Sequence, residues 1–298
     1  MFMKKRKMRK TDVKGDFIYN NFILGMGYMK KIKIYFFISI VLILLGSLAA
    51  YFGVVGIFSP NLEKTIDNYI AKSVAEIIKQ TEGLSPLDLT FFIMNNNIKT
   101  AFFGVVSGIY LAVFPIIIVI FNGYVLGFVA EKAVNSPVNT EGILVLWRLL
   151  PHGIFELPAI LISIGLGIKL GLYPLYIKEK GKGLLSLIVA FLLFMLISGI
   201  IITLISFFVP GILDSEKRIN DAVVFNNPLL SILFYLLIGM SFVVSFLIGL
   251  KILSNKDKTI FREIMWNTIR VFVFVVIPLL VIAGLIEGLL IFLVGQNR

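Results

Sequence analysis

The chain contains no cysteine and a single histidine in 298 residues. The first absence excludes disulfides, thiol catalysis and iron–sulfur ligation. The second excludes a multi-histidine metal site within one chain. Charge is also scarce, at 15% of residues against 58% hydrophobic, and no aspartate falls in the long apolar runs. A Ser/His/Asp set therefore has no carboxylate of that kind to complete it. The sequence has no Walker motif or other phosphate loop, so an ATP-driven role requires a separate ATPase subunit. It also lacks zinc-finger, RNA-reading and helix-turn-helix patterns, so no nucleic-acid partner is expected. The formal net charge of +11 then points to cytoplasmic loops and anionic membrane lipids.

What remains is an all-α polytopic membrane protein. Its apolar segments lie near 34–58, 98–130, 142–172, 183–210, 228–253 and 268–294. Residues 1–33 form a basic cytoplasmic or interfacial N-terminal segment, and residues 34–298 a single membrane domain. In the first, the cationic run Lys4-Lys5-Arg6-Lys7 precedes an apolar face of Phe17, Ile18, Tyr19, Phe22, Ile23 and Leu24. This reads either as an interfacial helix or as a basic tail that enforces topology. The polar loop 59–97 places Ile66, Ile70, Val74, Ile77 and Ile78 at helical spacing. That pattern predicts an amphipathic extracytoplasmic helix, closed by Gly83 and restarted at Ser85-Pro86.

Loop charge sets a parity condition. The basic N-terminus and the basic loops 169–182 and 251–262 should be cytoplasmic, and the acidic loop 61–95 outside. An odd number of crossings must then separate Asn97 from Lys169, where only two long apolar segments lie. The reading adopted is that one of them is broken and re-entrant, which leaves five to six transmembrane helices. Segment 142–172 is the first candidate, because Pro151, Gly153 and Pro158 interrupt it. Segment 98–130, with Pro115 and the Asn122-Gly123 break, is the second.

The ionisable residues at membrane depth are Arg148, His152, Glu156 and Glu287. Groups of this kind require partners. The expectation is a polar network in which Glu287 of the last span meets Arg148 or His152. Gly104 and Gly108 form a small-xxx-small pair for close helix packing. The Trp and Tyr residues 147, 173, 176 and 266 fit interfacial anchoring. No catalytic residue, metal or cofactor is assigned.

Several of these residues carry a family resemblance. They are Phe92-x-x-Asn95-Asn96, Gly104-x-x-x-Gly108, Pro115, Asn122-Gly123, the run Pro151-His152-Gly153-Ile154-Phe155-Glu156-Leu157-Pro158-Ala159, and the late Glu287. Together they resemble the stage II sporulation protein M family over roughly residues 30 to 295, with a departure after Glu287. The resemblance implies a non-enzymatic membrane scaffold or assembly protein that gathers other membrane proteins. The arrangement is also similar to the permeases of ABC-2-type exporters, which implies the alternative of a transporter subunit with a separate ATPase. Either reading places the chain in the plasma membrane with its N-terminus cytoplasmic, and the small-residue faces permit a homodimer.

Overall fold

The computed structural model describes residues 17–81, 83–135, 142–208, 218–219, 222–223 and 228–295; for 74, 77–78, 81, 135, 142–152, 208, 218–219, 222–223, 228–232, 288 and 290–295 it describes the backbone alone. Ten α-helices run through these residues: α1 Phe17–Tyr51, α2 Val54–Phe58, α3 Pro60–Thr81, α4 Pro86–Val106, α5 Val113–Asn135, α6 Gly142–Gly171, α7 Lys180–Phe208, α8 Pro228–Lys251, α9 Asn255–Val271 and α10 Ile277–Gly295. A two-residue antiparallel pair, Arg218–Ile219 with Ala222–Val223, lies between α7 and α8. Six helical segments are long and apolar enough to cross a membrane. The fold is all-α and polytopic.

Local chemistry accounts for most boundaries. Pro60, Pro86 and Pro228 stand at the first positions of α3, α4 and α8, where a missing N–H leaves no helical bond unmade. Ser85 caps α4 by accepting from the Asp88 N–H, and Ser254 caps α9 by accepting from the Asp257 N–H at 3.2 Å. Gly83, with φ of 79°, turns the chain between α3 and α4. These are the boundaries expected for the amphipathic helix. The described part of the N-terminal segment, from Phe17, is continuous with the first span. Lys30, Lys31 and Lys33 lie within α1, whose 35 residues extend about 52 Å at the standard rise.

The expected break in segment 142–172 does not occur. Helix α6 runs unbroken through Pro151, Gly153 and Pro158. A proline in a helix interior costs about 3 kcal/mol. Unwinding the chain at that depth would strip several backbone groups of partners at several kcal/mol each, so the helix continues. Asn122 and Gly123 do not interrupt α5 either. The Asn122 side-chain amide donates to the Ile118 carbonyl at 2.7 Å, and Gly123 lies directly against the backbone of Ile43. The break falls instead at residues 107–112, a short 3-10 turn followed by Leu111-Ala112. In a continuous helix the Pro115 ring would collide with the Leu111 carbonyl. As built, Pro115 sits in the first turn of α5, where its lost donor is not needed.

Helix direction resolves the parity condition differently from the re-entrant reading. Gly104 meets Ile164, Gly108 meets Gly167, and Gly171 meets Ala112. This stepwise register means that α4 and α6 run in the same direction. Helix α5 lies between them in sequence and must carry the chain back. Three helix passes, α4, α5 and α6, therefore separate Ser85 from Tyr173, and three is odd. Helix α4 is not among the six segments apolar enough to cross, because Asn95, Asn96, Asn97 and Lys99 dilute its apolar character.

Helix α6 is the central member. Every residue from Ala159 to Gly171 is buried, as expected for a helix that is apolar all round. Helices α1, α4, α5 and α10 surround it. Helix α1 presents Gly25, Tyr28, Ile32, Tyr35, Ser39, Ile43 and Gly46 at intervals of three and four. Gly46, Gly123 and Gly127 bring α1 and α5 into backbone contact, and Ser47 Oγ donates to the Gly123 carbonyl at 2.9 Å. Helices α7 and α8 form an antiparallel hairpin, with Ser186 bonded to Gly249 and Ser198 to Ser241. Between α9 and α10, residues Phe272–Val276 form a π-helical turn. It directly precedes Pro278, whose absent N–H leaves the Phe274 carbonyl without its usual helical donor.

Candidate functional site

A group of buried polar side chains lies at the C-terminal end of α6. Lys169 is only 8% exposed. Its ammonium sits 4.4 Å from the ring centre of Tyr28 and 5.8 Å from that of Tyr176. Such contacts are worth about 2 kcal/mol when desolvated, less than the several kcal/mol needed to bury a charge. No carboxylate pairs with Lys169 among the described residues. A second cation, Lys31, also acts on it, from an exposed position on α1.

Two helices and a turn supply the rest of the group. Tyr28 and Tyr35 belong to the buried stripe of α1. Tyr35 and Tyr176 join hydroxyl to hydroxyl, tying α1 to the turn after α6. Thr268 comes from α9. The Tyr28 hydroxyl and Thr268 Oγ1 are both buried without a hydrogen-bond partner. The two groups are neighbours and act on each other. Beneath them, Tyr173 is fully buried, 4.8 Å edge-on from Phe261, and its hydroxyl donates to the Gly183 carbonyl at 3.3 Å. Burial raises its phenol above the ordinary tyrosine range. Asp257 is likewise buried and accepts from the Lys178 N–H at 3.1 Å. This bond fixes the loop between α6 and α7 to the start of α9.

Two expectations change here. Lys169 does not belong to a solvated basic loop, because it lies inside α6. Tyr173 is not an interfacial anchor but a core residue. Trp266, by contrast, is well exposed. The sequence carried one signal for the site: Tyr28 and Tyr35 fall on the three-and-four stripe of α1. That stripe is hidden because the remaining faces of the helix are equally apolar.

The expected polar network is placed only in part. The side chains of Arg148, Pro151 and His152, like that of Trp147, lie outside the described residues. Glu156 is half-buried on α6 and takes part in an interaction within the protein. Glu287 is half-buried on α10, one turn beyond Gly284, which packs on Met94 of α4. Gly153 has open space where a side chain would stand, whereas Gly104 and Gly108 lie in the α4–α6 crossing. No group of three or more His, Asp or Glu side chains able to hold a metal occurs among the described residues.

The model of the stage II sporulation protein M family matches residues 35–207, from the second half of α1 to the end of α7. Within that range lie Arg148, His152, Glu156, Lys169 and the α4–α5 turn; Glu287 and Thr268 lie beyond it. No curated protein and no solved structure matches the chain. With more than half of its length matched, the chain belongs to the stage II sporulation protein M family.

Proposed function

We propose that this protein is a non-enzymatic scaffold of the plasma membrane, with its N-terminus cytoplasmic, that gathers other membrane proteins. The observation that supports this reading is the closed centre of the fold. Helix α6 is buried on every side from Ala159 to Gly171, and glycines bring the backbones of α4 and α1 directly onto it. A helix held this way is suited to a fixed platform. The outward faces of α7 and α8 are apolar, with Met195, Leu196, Ile200, Leu204, Leu236 and Met240 exposed. They offer surface to lipid, to a second copy of the chain or to partner helices.

The alternative is the permease subunit of an exporter with a separate ATPase, a reading that rests on the similar arrangement of segments. Affinity purification of the full chain from its native membrane separates the two. The scaffold reading expects the same membrane-protein partners with and without ATP. Recovery of an ATPase whose hydrolysis rate changes when this chain is present would overturn it.

A further inference from the structure

The Lys169 cluster has a composition that the scaffold reading does not require. A lysine more than nine-tenths buried faces two aromatic rings, with a second lysine acting on it and no carboxylate partner among the described residues. Beside it lie two further groups able to donate hydrogen bonds, the hydroxyls of Tyr28 (7% exposed) and Thr268 (1% exposed), neither of them satisfied. A buried charge without a counter-charge and buried donors without acceptors are each unfavourable. One ligand chemistry relieves all three: an anion with several acceptor oxygens.

The surroundings narrow the choice further. Lys31 and Tyr176, which border the cluster, are both exposed. Lys30, Lys31 and Lys33 interrupt the apolar sequence of α1 at the level of the cluster. Glu263, exposed on α9, acts on the Tyr28 hydroxyl and forms no ion pair with Lys169. It therefore borders the site.

We infer that Lys169 and Lys31, with the hydroxyls of Tyr28 and Thr268, form a binding site for the phosphate group of an anionic phosphate ester, the membrane-borne source being an acidic phospholipid headgroup. The tyrosine rings hold the Lys169 ammonium in place between lipid exchanges. Lys31 supplies the second positive charge at the mouth. The inference stands apart from the scaffold reading, since a permease could carry the same site.

The test uses the full chain in a neutral detergent. It is titrated with short-chain phosphatidylglycerol, with short-chain phosphatidylcholine, and with soluble glycerol phosphate, and native mass spectrometry reads the bound fraction. Phosphatidylglycerol should bind in preference to phosphatidylcholine. Lys31→Gln, at an exposed position, should weaken phosphatidylglycerol about tenfold, the loss expected for one charged hydrogen bond. Lys169→Met should abolish the preference; if that variant does not fold, Lys31→Gln decides. Competition by glycerol phosphate would support a soluble phosphate ester as the ligand, and its failure to compete would support the lipid. The site is overturned if wild type shows no preference, or if Lys31→Gln retains the wild-type affinity.

Discussion

Gly108, in the turn after α4, rests directly on the backbone of Gly167 in α6, with no room for a Cβ between them. Gly104 and Gly171 extend the same contact on either side. Backbone approach of this kind is the main source of helix association in membranes, where apolar surface gains nothing by leaving lipid. Gly108→Ala should therefore force α4 away from α6 and destabilise the fold by about 1–3 kcal/mol. Thermal unfolding in detergent measures the effect. Gly199→Ala is the control, because no atom lies within 4 Å of its added Cβ, and it should melt like wild type.

Tyr110 joins the α4–α5 turn to the α7–α8 hairpin. Its hydroxyl donates to the Phe242 carbonyl at 3.0 Å and lies 2.8 Å from Ser245 Oγ. Tyr110→Phe keeps the ring contacts with Phe194 and Phe242 and removes only the hydroxyl. A loss of about 1 kcal/mol is expected. Faster amide exchange in α8, with α6 unchanged, would show that the hairpin loosens on its own. Equal acceleration in both helices would count against this.

Asp257 holds the Lys178 amide and stands at the start of α9. Asp257→Ala leaves that amide without its acceptor and should cost about 1–3 kcal/mol. Hydrogen exchange at residues 176–180 should rise in the variant. Unchanged protection there would mean that the loop is held by Tyr173 alone.

The absence of cysteine makes the helix count directly testable by single-cysteine labelling. Leu84→Cys and Lys132→Cys replace exposed residues at the start of α4 and the end of α5. Three traverses place both on one face of the membrane and Gly181→Cys on the other. A re-entrant segment 142–172 would put Lys132→Cys with Gly181→Cys. A membrane-impermeant maleimide applied to intact cells should label the first pair alone.

Glu287 has no hydrogen-bond or ion-pair partner among the described residues, and its expected partners Arg148 and His152 have side chains outside them. Glu287→Gln and Glu287→Leu separate the remaining possibilities. If a polar partner is present, Glu287→Leu should lower the folded yield several-fold while Glu287→Gln lowers it less. A wild-type yield of Glu287→Leu in size-exclusion chromatography would remove the pairing idea.

The sequence by itself determined whatever depends on near neighbours. Composition placed the chain in a membrane, because apolar runs of this length are stable only there. The amphipathic α3, its closure at Gly83 and the restart at Ser85-Pro86 were legible because each rests on a few adjacent residues. Loop charge asked for an odd number of passes before Tyr173, and α4, α5 and α6 supply three. What the tertiary structure decided was how that parity is met. Pro151 and Pro158 weaken α6 locally, yet the absence of competing water keeps the helix whole. Pro115 ends a helix because Gly108 and Tyr110 hold the turn before it against α6 and α8. Lys169 looked like a loop charge, because nothing local reveals that Tyr28, 141 residues upstream, closes over it. Which face of a uniformly apolar helix meets which neighbour is fixed by backbone fit and buried hydrogen bonds, and in this chain those partners lie far apart in sequence.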